Sequence, residues 1–233
     1  MRKLFLVVVC AISALTVSAQ RASSSSSSFF STEKAEGGVQ FGIRAGVNFA
    51  NATYKEDGNS VSLDSRTTFH VGVIADIPLM QSLYVQTGLY FQNKGAKYEN
   101  SGNGWKVKDE YKPMYIQIPV LASYRYDFSD AVQLQVNVGP YFAYGIGGKA
   151  KMSEEYDGDT DSWEIDFFGD KEDEEKSMGN KRFDCGLQVG GGLSFAQHYY
   201  LGVTYEFGFG NISKWDDTTI KNKNLMVSLG YNF

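Results

Sequence analysis

The chain of 233 residues has few of the residues that usually support catalysis or covalent cross-linking. It contains two cysteines, two histidines and four prolines. Cys10 lies in an N-terminal apolar run, which leaves Cys185 without a partner in the processed chain. An intrachain disulfide, a cysteine-ligated metal site and a redox pair are therefore excluded. The formal net charge of −5 argues against a nucleic-acid partner.

Long apolar runs are also scarce, and the clearest one stands at the N-terminus. Leu4–Leu15 follows Arg2 and Lys3 and precedes the small residues Val17-Ser18-Ala19. This pattern predicts a signal peptide over residues 1–19, and an uncleaved membrane anchor is the alternative. The run is too short to span ~30 Å of hydrocarbon comfortably. No later run could form a spanning helix, which excludes a helical membrane protein.

Residues 20–38 form a serine-rich segment that has little to bury. Ser23–Ser28 is an unbroken serine run. Such a composition is typical of a flexible linker, so we predict a flexible periplasmic tether here.

From Val39 onwards, apolar and polar residues alternate with a period of two. In Phe41–Phe49, five apolar residues share one face, and Gly42, Arg44, Gly46 and Asn48 share the other. The alternation predicts eight strands, at Phe41–Phe49, Thr67–Ile77, Leu83–Lys94, Met114–Tyr126, Val132–Ile146, Lys181–Ala196, Tyr199–Ile212 and Lys223–Phe233.

The connections between these strands alternate between short and long. The short ones are Pro78–Ser82, Asp127–Ala131 and Gln197–His198, and the long ones are Asn51–Arg66, Gly95–Pro113, Gly147–Asn180 and Ser213–Asn222. Outer-membrane barrels have short periplasmic turns and long external loops. We therefore predict an all-β fold, an eight-stranded antiparallel up-and-down transmembrane β-barrel over residues 39–233. A soluble barrel with its apolar face inward has the same periodicity.

Three further features favour the membrane barrel. Glycines occupy many positions of the polar face, which suits a narrow interior better than a solvated strand face. Aromatic residues gather near both strand ends, as bilayer interfaces select. The last strand closes on a terminal Phe233. The predicted belts comprise Phe41, Tyr124, Tyr126, Phe195, Tyr199 and Tyr231 at one rim and Phe49, Phe69, Phe91, Phe142, Tyr144, Phe183 and Phe209 at the other.

Three segments resemble motifs of a known family. Tyr115–Tyr124, Gly139–Tyr144 and Phe183–Leu193 are similar to the Tyr-x-x-x-Pro-Leu-Leu, Gly-Pro-Tyr and Phe-Asp-x-Gly-x-x-x-Gly-x-Gly patterns of PorT-like outer-membrane β-barrel proteins. The terminal strand resembles the signal read by the barrel assembly machinery. The resemblance implies an eight-stranded barrel in a Gram-negative outer membrane, and its namesake is associated with protein secretion. These motifs concern strand packing and imply no catalytic residues.

Five charged residues fall on the predicted inner face, where an unpaired charge would be costly. We predict that they form a structural lumen network. A gated narrow pore whose ion preference they set is the alternative. The residues are Arg44, Asp76, Arg125, Asp184 and Glu206.

The third long connection carries most of the negative charge. Residues 154–175 hold twelve acidic residues and one basic residue, Lys171. The Asp157, Asp159 and Asp161 spacing suggests calcium, but Ser162 and Phe168 occupy the sixth and twelfth positions, where an EF-hand needs Gly and Glu. A solvated acidic loop is our interpretation, and no metal site is assigned. Exposed apolar residues within an acidic loop often mark a contact surface. The apolar contact candidates are Trp163, Phe167 and Phe168, with Ile165 beside them.

Catalysis has little support in this sequence. His198 falls in a periplasmic turn, whereas His70 faces inward near the external rim, close to Asp64 and Ser65. A rim enzyme built on His70 stays a minor hypothesis. We predict a non-enzymatic surface-interaction protein without a cofactor. Its expected partners are outer-membrane lipid or lipopolysaccharide, the barrel assembly machinery, and an unidentified protein at the external loops. A pore or an accessory of a secretion system is the alternative.

Overall fold

The computed structural model describes residues 38–233 except 57, 130, 171 and 173–175. All of them belong to one compact unit, Thr32–Phe233. The predicted signal peptide and residues 20–37 of the predicted tether lie outside the described residues. Within the described part of the chain, no helix is long and apolar enough to cross a membrane.

The described residues form twelve strands, where the alternation predicts eight. The four additional strands, β2, β5, β8 and β9, lie inside segments predicted as long loops. In chain order the strands are β1 Gln40–Glu56, β2 Asn59–Ser62, β3 Arg66–Met80, β4 Leu83–Asn93, β5 Ala96–Gly102, β6 Trp105–Ser129, β7 Val132–Tyr156, β8 Asp159–Phe168, β9 Ser177–Asn180, β10 Phe183–Phe195, β11 Tyr199–Gly208 and β12 Thr218–Asn232.

Eight of these strands are paired along both edges. The order of pairing is β6-β4-β3-β1-β12-β11-β10-β7, and β7 pairs in turn with β6, so that the series returns to its start. Every pair in this series is antiparallel. Each of the eight strands therefore has a hydrogen-bonded neighbour on both sides, which removes the free edges of an open sheet.

The two ends of this closed series differ. At one end, the turn end, short connections at residues 81–82, 130–131 and 196–198 join the strands, and both Gln40 and Asn232 lie there. At the other end, the hairpin end, β1, β6 and β7 extend beyond the predicted strand limits and pair with the additional strands β2, β5 and β8. The short and long connections thus gather at opposite ends.

The side chains alternate in burial, but with the apolar ones outside. In β1, Phe41, Ile43 and Phe49 are exposed, whereas Arg44 and Asn48 are buried. The same inversion runs through β3, β7 and β11, where valines and leucines are exposed and polar residues are buried. An apolar exterior of this extent is unsuited to water and well suited to lipid.

Aromatic residues border the apolar exterior at both ends. Val71, Val73, Val136, Val138 and Leu201 lie between the two groups and are exposed aliphatic residues. Such borders are where bilayer interfaces place aromatic rings. The exposed rings at the turn end are Phe41, Tyr126, Phe128, Phe195, Tyr199, Tyr231 and Phe233, and those at the hairpin end are Phe49, Phe69, Phe142, Tyr144, Phe183, Phe207 and Phe209.

Glycine makes room for large side chains inside the closed series. A Cβ atom at Gly72 would lie 2.7 Å from the ring of Tyr90, and one at Gly230 would collide with the side chain of Arg44. The interior is thus filled by a few large side chains reaching across glycine-lined strands.

Beyond the exterior apolar belt, four strand segments form a smaller sheet, called the hairpin sheet: residues 96–102, 105–112, 149–156 and 159–168. Opposite charges alternate across its outer face, for example along the row Lys97, Glu110, Lys151 and Glu164. Lys112 lies 2.8 Å from Glu110 and, by hydrogen bonding, lowers the pKa of that carboxyl. Across the strands, Lys97 lies 3.8 Å from Glu110, and pairs of this kind stabilise a sheet.

Candidate functional site

The five charged residues predicted for the lumen are all buried: Arg44, Asp76, Arg125, Asp184 and Glu206 are each at most 6% exposed. The fold divides them into two groups along the interior. Arg44, Asp76 and Arg125 lie toward the turn end, and Asp184 and Glu206 lie toward the hairpin end.

The group toward the turn end is centred on an ion pair. Arg125 Nη2 lies 2.5 Å from Asp76 Oδ2, and Gln86 donates to the other oxygen of Asp76 at 2.8 Å. The guanidinium of Arg125 also lies over the ring of Tyr84, 4.1 Å from its centroid. The aromatic face and the carboxylate together compensate the buried cation.

Arg44 is held differently, because no carboxylate of the described residues forms an ion pair with it. Its guanidinium lies 4.2 Å from the centroid of the Tyr200 ring, and Nη1 donates to the carbonyl oxygen of Ile43 at 3.0 Å. A ring face and a carbonyl dipole thus offset part of the cost of burying this charge.

The group toward the hairpin end contains a residue that the sequence analysis missed, Lys94. Its Nζ lies 3.2 Å from Glu206 Oε2 and 3.6 Å from Asp184 Oδ2. Lys94 is 1% exposed and follows β4 in the same alternation that points Gln86 and Gln92 inward. That alternation could have revealed it, since Lys94 was the last residue of the predicted third strand. With Lys94 included, three buried cations face three buried carboxylates.

Among these buried charged residues, Glu206 accepts the most side-chain hydrogen bonds. Its Oε1 accepts hydrogen bonds from Gln117 and Gln188, both at 2.6 Å, and from Gln92 at 3.1 Å. Asn224 donates to Oε2 at 3.2 Å. Four amide donors and a lysine supply what a buried carboxylate needs to remain ionised.

His70 is deeply buried between two polar side chains. Its Nδ1 lies 2.6 Å from Asn48 Oδ1, and its Nε2 lies 2.9 Å from Ser228 Oγ. Asp64, which the rim-enzyme hypothesis places near His70, instead pairs through its backbone with Lys97. Although a serine, a histidine and an amide in line resemble a catalytic relay, the void beside Ser228 is about 30 Å³. That volume holds about one or two waters and no substrate.

The interior is filled between two larger hollows. A hollow of about 400 Å³ at the turn end is bordered by Gln40, Tyr84 and Arg125. One of about 420 Å³ at the hairpin end is bordered by Tyr54 and Tyr111. Between them lie fully buried side chains, including His70, Gln92, Lys94, Gln117, Tyr115 and Tyr141. Side chains therefore fill this part of the interior, as they fill a protein core.

The first part of the acidic third connection forms a hairpin where the alternation predicts a loop, and its acidic residues are exposed to solvent. β7 and β8 turn at residues 157–158 and pair from Tyr156–Asp159 down to Lys149–Asp166. Asp157, Asp159 and Asp161 are exposed, and Trp163 is 43% exposed. Among the described residues, no three potential ligands are grouped so as to hold a metal ion.

Phe167 and Phe168 correct the prediction of an exposed aromatic cluster. They are 5% and 4% exposed, and Ile165 is half-buried. The Phe168 ring meets Tyr115 edge-on at 5.5 Å, and the two phenylalanine rings lie 5.0 Å apart. The end of β8 therefore turns inward and covers the interior, because two rings next to each other gain more by burial than by exposure to water.

A comparison with protein families matches most of the chain. The sequence profile described as "Outer membrane protein beta-barrel domain" matches residues 19–214. The closed antiparallel pairing with an apolar exterior is that of a protein embedded in the outer membrane. The chain belongs to the outer membrane protein beta-barrel domain family. A search of curated protein sequences found no significant match.

Several solved structures are similar to this chain. They include Ail, the attachment invasion locus protein of Yersinia pestis, at 20% identity and a TM-score of 0.39, covering 84% of this chain and 99% of that one. Neisserial surface protein A has 15% identity and a TM-score of 0.41, with coverages of 84% and 98%. OprG from Pseudomonas aeruginosa has 13% identity and a TM-score of 0.40, with coverages of 86% and 97%.

Proposed function

We propose that the chain is an eight-stranded, up-and-down barrel of the PorT-like group, with its hairpin end at the cell surface. The eight mutually paired strands and the alternation of short and long connections support this arrangement. An even strand number brings both chain ends to the periplasmic side. The family motifs lie on β6, β7 and β10, which are neighbours in the pairing order.

The function that we infer is non-enzymatic contact with the envelope or its surroundings, through the external hairpins. One observation carries it: the β7–β8 hairpin presents Asp157 in its turn and Asp159, Asp161 and Trp163 on β8, all exposed and beyond the apolar belt. β7 holds one edge of β8 along its length, whereas β9 pairs on the other edge at Asp166 and Phe168. Asp159, Asp161 and Trp163 thus lie on a strand that β7 supports, with Asp157 in the adjoining turn.

The partner that best fits this surface is lipopolysaccharide bridged by divalent cations. Carboxylates bind hard cations, and those cations in turn neutralise phosphate groups. An exposed indole adds an amphipathic contact at such an interface. A protein partner at the same hairpin is the alternative outcome. We also propose that the terminal strand, ending at the exposed Phe233, engages the barrel assembly machinery.

The test neutralises the acidic face and keeps the fold. We expect the combined variant D157N/D159N/D161N/W163A to bind magnesium-loaded lipopolysaccharide vesicles at least about tenfold more weakly, because it loses the three carboxylates and the indole of the proposed contact surface. Surface plasmon resonance of the refolded protein measures this, and chelation of magnesium should abolish binding by the unaltered protein.

The matched control removes three charges from the opposite face of the same hairpin, as E155Q/E164Q/D166N. This control should bind nearly as well as the unaltered protein. An equal loss in both variants would assign the effect to net charge, and no loss in either would refute the proposed contact surface.

A gated pore is a second candidate, favoured by the hollows at both ends of the interior. It requires the side chains between them to move. We expect the refolded protein to be silent in a planar bilayer, since the charged groups are paired and packed. Reproducible conductance steps that change with Arg44→Ala or Glu206→Gln would put transport, or a role as a secretion accessory, ahead of surface contact.

A further inference from the structure

The hollow at the hairpin end is a blind, mainly apolar cup of about 420 Å³. One wall comes from β1, β2 and β12, through Tyr54, Val61 and Ile220. The facing wall comes from β5 and β6, through Tyr98 and Tyr111. A volume of this size with apolar and aromatic walls is typical of small-molecule sites.

The floor of the cup is closed by packed rings. Phe167 borders the cup and meets Tyr111 edge-on at 6.3 Å and Phe168 at 5.0 Å. Phe168 in turn packs on Tyr115. Asn222 also borders the cup and donates to Asp184 Oδ2 at 3.0 Å. Packed rings and this buried amide therefore lie between the cup and the Lys94 group, so that the cup ends there.

One polar side chain in the cup is left without a partner. Asn180 is 2% exposed, yet neither its Nδ2 nor its Oδ1 has a hydrogen-bond partner among the described residues. Its backbone is fixed by a bridge to Ser213 and by pairing with Phe168. A buried amide in this state is costly, and a bound group that donates and accepts would satisfy it.

The charge of the cup restricts its ligand. Among the described residues that border it, Asp109 is the single ionisable acid or base other than the tyrosines. Tyr111 donates to Asp109 Oδ2 at 3.3 Å, and burial raises the pKa of Asp109. An anionic ligand would meet this carboxylate with no cation to offset it.

The cup adjoins a second hollow that provides a route to it. This hollow, of about 550 Å³, shares Tyr54, Met178, Asn180 and Ile220 with the cup and extends past Trp215. Asn180 therefore stands where the two hollows meet.

We propose that the cup binds a small, uncharged amphiphile whose apolar body lies between the tyrosine walls and whose hydroxyl or amide group pairs with Asn180. The terminal phenylalanines of β8 form the base of this site.

The test uses the full mature chain in lipid nanodiscs, with carbon-13 labels on the methionine methyl groups. Met178 borders the cup, and Met80 lies at the turn end as an internal control. The probes are 1-octanol, n-octane and octanoate. We expect octanol to shift the Met178 signal saturably without moving Met80, and to bind at least about tenfold more tightly than octanoate.

Two variants test the two halves of the site. Asn180→Leu should weaken octanol binding about tenfold and leave octane binding unchanged, whereas the exposed control Asn59→Ala should change neither. Val61→Trp, at a half-exposed wall position that tolerates a large residue, should abolish binding of both probes. The proposal is overturned if Met80 and Met178 shift together, if octanoate binds as well as octanol, or if Val61→Trp leaves binding intact.

Discussion

At the residue scale, the decisive feature is the charge balance of the buried interior. Lys94 sits between Asp184 and Glu206, and Tyr141 places its ring 4.3 Å from the lysine ammonium. Each carboxylate also accepts amide hydrogen bonds, at 3.0 Å from Asn222 to Asp184 and at 2.6 Å from Gln117 to Glu206. The group is stable as a set, and removal of one member leaves the others uncompensated.

The corresponding prediction concerns Lys94→Met. The substitution keeps the side-chain volume but leaves two buried carboxylates without their cation, so we expect the free energy of unfolding to fall by about 3–5 kcal/mol at neutral pH. Reversible denaturant unfolding in lipid vesicles, followed by tryptophan fluorescence, measures the change.

The control is a lysine in an exposed ion pair of similar length. Lys108 lies 3.3 Å from Glu99, and both side chains are more than two-fifths exposed. Lys108→Met should cost less than about 1 kcal/mol, because surface pairs are weak. Equal losses for the two variants would contradict a structural role for the Lys94 group.

At the element scale, β7 shows why part of a predicted long connection forms a hairpin. Its apolar alternation stops at Ile146, where the sequence analysis ended the strand. Between Met114 and Tyr115 the register against β6 shifts, so that Ile146 is the extra residue, and Gly148 has a φ of 147°. This bulge changes which residues face outward, and β7 continues to Tyr156 with Lys149 and Lys151 outside. A bulge thus connects a lipid-facing strand to a water-facing one.

The prediction at this scale concerns the inward turn of β8. Phe168→Ala removes a ring that fills the space against Tyr115 and Gly145. We expect a local loss of about 3–5 kcal/mol, with detachment of β8 and β9 from the interior. Limited proteolysis should then cleave residues 169–177 much faster, while the heat-dependent gel mobility of the folded protein stays unchanged.

Trp163→Ala on the same strand is the comparison. Since Trp163 is 43% exposed, its removal should leave the cleavage rate within about twofold of the unaltered protein. If Phe168→Ala and Trp163→Ala are cleaved alike, then Phe168 does not hold the segment in place.

At the scale of the whole molecule, the arrangement is inverted relative to a soluble protein. Valine, leucine and phenylalanine side chains cover the outside between two aromatic borders, and amides, charges and tyrosine hydroxyls fill the inside. Lipid is the solvent that makes this inversion favourable, and closed strand pairing is what lets the backbone enter it.

The prediction at this scale compares two substitutions by lysine on β7, one within the apolar belt and one at the hairpin tip. Val138 is 46% exposed within the apolar belt, and Tyr156 is 64% exposed at the hairpin tip. Val138→Lys should lower the free energy of unfolding in vesicles by about 2–4 kcal/mol, since it places a charge in hydrocarbon. Tyr156→Lys should change it by less than about 0.5 kcal/mol, because the tip lies in water. Similar values for both variants would place Val138 outside the bilayer.

The sequence by itself determined the all-β fold, the inward direction of Arg44, Asp76 and Glu206, and the separation of short from long connections. These follow from a period of two, which local chemistry repeats along every strand. Only the tertiary structure decided that Lys94 joins Asp184 and Glu206, that Phe167 and Phe168 turn inward, and that Asn180 borders a cup. Such features depend on contacts between residues that are distant in the sequence, and on a bulge that interrupts the alternation, so no local pattern contains them.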